Sequence, residues 1–185
     1  MSITSAEASL LGLLTEADKH PYQIEKDVQF RDMRFWTELS MSAIYKTLVK
    51  LETMGYVEST TEISEENRAR KIYRITAEGI AAFKDKLTEL VSEVEHIRWQ
   101  ADIAFYNFDI FPKDKQVEML ESYKTKLREK ITEYKALEDF MVGENCSIYP
   151  QSISRRPVYL LQGEINWVED FILRIRNLDN GNHQI

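Results

Sequence analysis

Ser40, Ser42, Tyr45, Lys46 and Lys50 crowd five hydrogen-bonding side chains into one short stretch of chain. Hydroxyl and ammonium groups at that density donate to phosphate oxygens and base edges, which is the chemistry of a nucleic-acid contact. The helix that enters a major groove needs such residues near its N-terminus. Its unpaired first-turn amides and its dipole also favour a phosphate there. The plainer reading of the same residues is a solvated helix face with a partly packed tyrosine. Arg68, Arg70 and Lys71 form a second cationic group, flanked by Glu62, Glu65 and Glu66. That mixture reads either as an auxiliary phosphate contact or as an ordinary solvated hairpin. Trp99, Phe105, Tyr106 and Phe108, with Phe111 close behind, make the densest aromatic group. Rings of this kind can wall an effector-binding pocket for a small aromatic effector between two halves of the chain, or serve as core or as an interface between subunits. Trp36, beside Phe35, reads as a core anchor, and Trp167 as packed against an apolar seam.

Other chemistries find little support. Cys146 is the single cysteine, so it has no partner within the chain for a disulfide and no Cys/His neighbourhood for a metal. His20, His96 and His183 match no nucleophile or metal spacing, and no Gly-rich phosphate loop occurs. No catalytic residue, metal site or cofactor is expected, and the chain does not read as an enzyme.

Charge runs against a nucleic-acid reading. The net charge is −7. Residues 1–80 hold 10 Lys and Arg against 13 Asp and Glu, and residues 81–185 hold 14 against 18. Local placement decides phosphate contact, because exposed charges more than about 8 Å away are screened at physiological salt. No apolar run is long enough for a membrane span, and residues 1–5 lack a signal-peptide pattern. A soluble, cytoplasmic protein is expected.

Three short helices should position the first group. Ser5 reads as the N-cap of one with Leu10, Leu11 and Leu14 on its apolar side. Pro21 suits the first turn of the next, which runs to about Phe30. Ser40 then caps a third with apolar positions Ile44, Leu48 and Leu51, closed by Gly55. Two strands follow, from Tyr56 to about Ile63 and over Lys71 to Ile75, with turn residues at 64–67. Thr76 caps a further helix. From Ile80 the apolar residues Phe83, Leu87, Leu90, Val94, Ile97 and Ala101 recur at heptad spacing. So do Leu161, Ile165, Val168, Ile172 and Ile175 after Val158. A third amphipathic helix is expected over about 114–140, and 141–157, rich in Pro and Ser, reads as a loop.

The run Phe35-Trp36, Ser40, Ile44-Tyr45, Leu48, Leu51-Glu52 and Gly55-Tyr56-Val57, followed by Arg70 to Thr76 and Gly79, resembles the PadR family of bacterial transcriptional regulators. The helical second half is similar to the longer subgroup with a C-terminal virulence-activator-type domain. The resemblance implies homodimerisation, operator binding at promoters, repression and release by a small ligand. It supports Tyr45 most among the contact residues. Two features depart from the pattern: His20-Pro21-Tyr22 stands where Gly-Tyr is frequent, and the acidic wing tip makes the wing an auxiliary contact.

The expected fold is mostly α with a small β-wing. Residues 1–79 form a winged helix-turn-helix, and residues 80–185 a helical dimerisation domain paired through the C-terminal seam. The expected function is a sequence-specific DNA-binding regulator that acts as a homodimer on double-stranded DNA carrying an inverted repeat. The alternative is a winged-helix adaptor that contacts proteins and binds no specific DNA, which the net acidity favours.

Overall fold

The structure is a computed structural model that describes residues 2–37, 39–63 and 69–178. Two compact units divide it, Met1–His96 and Ile97–Ile185. The break expected after residue 79 falls later. Helix α4 (Ala77–Ser92) packs on α1 (Ser5–Leu14), with Ala82 and Phe83 laid against the N-terminal core.

In the first unit, α1 is followed by α2 (Pro21–Phe30), a 3-10 turn (Met33–Phe35), α3 (Met41–Thr53), β1 (Val57–Ile63) and β2 (Ala69–Ile75). The N-cap of α1 is Thr4 rather than Ser5, because Glu7 completes a capping box with it. The Thr4 N–H donates to Glu7 Oε2 at 2.7 Å, and the Glu7 N–H donates to Thr4 Oγ1 at 3.2 Å. Pro21 occupies the first turn of α2, and His20 caps it by accepting the Gln23 N–H on Nδ1 at 3.2 Å. Gly55, at φ +74°, ends α3. The Tyr56 N–H reaches back to the Leu51 carbonyl and the Gly55 N–H to that of Glu52, the Schellman pattern.

Leu10 and Leu11 of α1, Ile24 and Val28 of α2, Ile44, Leu48 and Leu51 of α3, and Val57 and Tyr73 of the strands close one core. Each such aliphatic residue contributes roughly 1.5–3 kcal/mol when fully buried. The strands pair antiparallel, with Val57 opposite Ile75 and Glu62 opposite Arg70. Lys19 and Tyr73 exchange backbone hydrogen bonds, which ties the α1–α2 connection to the edge of β2. Trp36, expected in the core, is 48% exposed: it follows the 3-10 turn in the connector, whose buried anchors are Met33 and Leu39.

The heptad run from Ile80 to Ala101 is not one helix. Helix α4 ends at Ser92, the next several residues have no regular structure, and Val94 is almost fully exposed. Heptad spacing alone does not hold a helix where nothing covers its stripe.

The second unit has a short α5 (Ala101–Tyr106), a 3-10 turn (Phe108–Ile110), and two long helices, α6 (Lys113–Gly143) and α7 (Ile148–Asn177). The loop expected over 141–157 shrinks to residues 144–147, where Asn145 takes φ +55°. Pro150 falls in the first turn of α7, where its missing N–H costs nothing. Pro157 lies inside the helix, which continues through it between buried Ser154 and the apolar seam. Helices α6 and α7 form an antiparallel hairpin: Tyr123 meets Glu164, and Arg155 meets Glu138. Ile165, Val168, Ile172 and Ile175 are buried against Leu120, Leu127 and Ile131. The C-terminal seam, expected to pair two subunits, is thus filled within the chain. Among the described residues no helix is long and apolar enough to cross a membrane.

Candidate nucleic-acid interface

Helix α3 is amphipathic in a way that fixes what it can present. Ile44, Leu48 and Leu51 face the core, so helical spacing turns Ser42, Tyr45, Lys46, Val49 and Thr53 outward in one stripe. Ser40 Oγ accepts the Ala43 N–H at 3.2 Å and lies 3.2 Å from Ser42 Oγ, so the cap hydroxyls sit together at the exposed N-terminus. Leu39 before the cap and Ile44 in the first turn are both buried in the same core, the positions of a hydrophobic staple. Arg34 sets the approach to α3. Its guanidinium donates to both carboxylate oxygens of Glu25, at 2.7 and 2.8 Å, and to the Leu39 carbonyl at 2.7 Å.

The far end of α3 is anchored by a buried carboxylate. Lys50 donates to Glu7 Oε1 at 2.5 Å, and Glu7 is 3% exposed. Burial alone would raise the Glu7 carboxyl, but the Lys50 ammonium and the Thr4 amide outweigh it and hold the group below the ordinary carboxylate value. Lys50 is therefore tied to α1, although its side chain remains largely exposed.

Most cations of this unit are held in the same manner. Arg31 pairs with Glu16, Lys71 with Glu52 at 3.1 Å and Arg74 with Asp18 at 2.7 Å. The Ser59 hydroxyl and Lys71 keep the Glu52 carboxyl below its usual range. Lys71 shares the inner face of the wing with buried Tyr73, whereas Arg70 faces outward opposite Glu62. Lys46 on α3 and Lys26 on α2 have no ion pair among the described residues. Lys26 lies 4.9 Å from the Tyr22 ring centroid, and that ring stacks on His20.

The structure thus gathers Ser40, Ser42, Tyr45 and Lys46 on one open face, where Tyr45 is 48% exposed. Lys50 borders that face but is engaged by Glu7. Arg70 and Lys71 lie on opposite faces of the wing, and Arg68, Glu65 and Glu66 lie outside the described residues. Val49 and Thr53 were missed from the sequence, although both follow from continuing the i, i+3, i+4 spacing of Ser42, Tyr45 and Lys46. Lys26 was missed because nothing in its sequence neighbourhood marks it as unpaired.

Residues 10–85 match the transcriptional regulator PadR-like family. Over that stretch, which lies within the first unit, the chain is similar to the family. No curated protein matches the sequence. Among solved structures, Bacillus subtilis PadR in complex with operator DNA is similar at TM-score 0.70 and 18% identity, over 91% of this chain and 98% of that one. The same protein in complex with p-coumaric acid is similar at TM-score 0.72 and 16% identity, over 96% and 100%. The Vibrio cholerae virulence activator AphA is similar at TM-score 0.60 and 17% identity, over 93% and 98%. These likenesses span both units of the chain and show its fold, a winged helix-turn-helix followed by a helical region. Family members are transcriptional regulators rather than enzymes.

The aromatic residues divide. In the C-terminal unit Trp99 and Phe105 line a small cleft with Ala101, Asp102, Glu164 and Trp167. Phe108, 5% exposed, belongs to the α6–α7 core, and Tyr106, 89% exposed, projects into solvent. Neither lines the cleft.

Proposed function

We propose that this PadR-like regulator binds operator DNA as a homodimer, with α3 in the major groove, and represses transcription in the cytoplasm until a small ligand releases it. The observation that carries the proposal is the open polar face of α3 beginning at its capped N-terminus. Ser40, Ser42 and Tyr45 supply donors for phosphate oxygens and base edges, and Lys46 a cation that no carboxylate of the described chain neutralises. Val49 offers the apolar surface that suits a thymine methyl. This arrangement answers the net acidity, because attraction is concentrated where a phosphate would lie.

One recognition helix reads about one half-site, so two-fold pairing is needed to place two helices in successive major grooves roughly 34 Å apart. Leu87, Leu90 and Val91 on α4, and Tyr159 and Leu173 on α7, are exposed apolar side chains that a second copy would cover. The operator complex and the p-coumaric acid complex of Bacillus subtilis PadR support the DNA and effector parts of the reading. Selection of bound duplexes from a random pool tests it. The expected product is an inverted repeat with half-sites one helical turn apart; a pool with no enriched sequence overturns the proposal. The pairing of Lys50, Lys71 and Arg74 with carboxylates favours a second reading, a protein-contacting adaptor, which an unenriched pool would support.

A further inference from the structure

Two indoles, a phenyl ring and two carboxylates meet in an open cleft of the C-terminal unit, of about 160 Å³. Two of its three rings, Phe105 and Trp167, are braced by further rings, whereas Trp99 is half-exposed. Phe105 and Trp167 lie 4.8 Å apart at 56°, Trp167 stacks on Phe171 at 5.2 Å, and Phe105 meets Phe108 edge-on at 5.8 Å. Rings held this way present fixed π faces, whose partial charge is negative.

The two carboxylates add to that sign. Asp102 and Glu164 have no ion pair among the described residues. On α6 and α7, Lys124 pairs with Glu121 and Glu169, Arg128 with Glu169 and Arg174 with Asp170, whereas Arg98, next to Trp99 in sequence, has no ion pair among the described residues. Glu164 is positioned by the Tyr123 hydroxyl, which donates to its Oε1 at 3.3 Å and leaves its charge in place. Burial, and then Glu164 itself, push the Tyr123 hydroxyl upward, so it stays protonated as the donor.

We infer that this cleft binds a small organic cation, a quaternary ammonium head seated on the faces of Trp99, Phe105 and Trp167 with Asp102 and Glu164 at its rim. Aromatic faces attract such a head electrostatically, most strongly when it is desolvated. The volume suits one: a protein cavity of roughly 150 Å³ holds a single benzene ring. An aromatic carboxylate such as p-coumarate would meet two like charges here. The inference deepens the effector reading above by giving the ligand its charge class, and it rests on that reading only for its regulatory consequence.

Calorimetry on the full chain without DNA, at constant ionic strength, tests it with choline, its uncharged isostere 3,3-dimethylbutan-1-ol, and p-coumarate. The expected result is saturable choline binding, with the isostere at least about tenfold weaker and p-coumarate not bound. Asp102→Asn with Glu164→Gln should preserve the helical circular dichroism, weaken choline severalfold and reduce its advantage over the isostere to the part that the rings supply. The inference is overturned by equal affinity for choline and the isostere, by tighter binding of p-coumarate, or by no saturation with choline. Any of these leaves operator binding by α3 standing, since no DNA is present, and an unenriched duplex pool would leave the cleft result standing in turn.

Discussion

Met1–His96 draws Leu10, Ile24, Leu48 and Val57 from four different elements into one core, whereas Ile97–Ile185 is built on a single seam between α6 and α7. In the first unit α1, α2 and α3 bury their apolar sides against one another, and α3 is left with a polar stripe to offer. In the second, a two-helix hairpin has room for only one buried face per helix. Leu137, Phe140, Tyr159 and Leu173 stay exposed although they are apolar. A unit with a closed core can present a hydrophilic contact surface without loss of stability. The uncovered apolar faces, those of the second unit and the Leu87, Leu90 and Val91 stripe of α4 in the first, are surface that only a partner can bury.

The sharpest way to break that contrast is to charge each face of α7 in turn. Val168→Asp puts an unpaired charge at a fully buried position, which costs several kcal/mol. Circular dichroism should show the α6–α7 hairpin lost while the N-terminal unit retains its helices. Leu173→Asp alters an exposed position of the same helix. It should leave helicity intact and shift the sedimentation coefficient from dimer to monomer. A Leu173→Asp chain that remains dimeric would remove the outer face of α7 from the interface.

The anchoring of α3 in the first unit is open to a smaller test. Glu7→Gln removes the charge that Lys50 meets and weakens the acceptor for the Thr4 amide, at a cost of about 1–3 kcal/mol in thermal or urea unfolding. The pH dependence has a defined sign. Because the folded Glu7 carboxyl lies below its unfolded value, its contribution is complete above the ordinary carboxylate range and disappears as pH falls through the folded value. The Gln variant should show a flatter acid limb than the parent.

Smallest is the cap of α2. His20 must be neutral at Nδ1 to accept the Gln23 N–H, and burial, with the positive charges of Arg70 and Lys26, depresses its folded pKa. The unfolded chain therefore takes up the proton first, and stability should decline as pH falls through about 6.5. The loss is about 1 kcal/mol, the worth of an N-cap. His20→Asn, which caps without titrating in this range, should remove that step from the pH profile; an unchanged profile would assign it to another group.

The same contrast explains what could be read in advance. Caps and turns depend on local residues, so Pro21, Ser40, Gly55 and Thr76 placed four element boundaries of the first unit directly. Thr4 too was legible, because Thr4 and Glu7 three residues on are the local pattern of a capping box, which Ser5 lacks. In the second unit, periodicity showed that Ile165, Val168 and Ile172 must be covered but not by what, since a seam filled by α6 and a seam filled by a second chain leave the same spacing. Pro150 and Pro157 read as loop residues because the buried face that carries α7 through them is a tertiary feature. At the candidate site, residue type located Tyr45 and Lys46. The engagement of Lys50 by Glu7 and of Lys71 by Glu52 joins residues far apart in sequence, so only the fold revealed that these cations are already occupied.

Lys46 is the exposed cation of α3 that has no ion pair among the described residues, and its replacement tests most directly whether that helix holds DNA. Fluorescence anisotropy with the selected duplex, over a series of salt concentrations, should give Lys46→Ala an unchanged melting temperature and a lower affinity. The plot of log affinity against log salt should be shallower by about 0.9 for each half-site, the signature of one lost phosphate contact. An unchanged affinity and an unchanged slope would take α3 out of the interface and contradict the account.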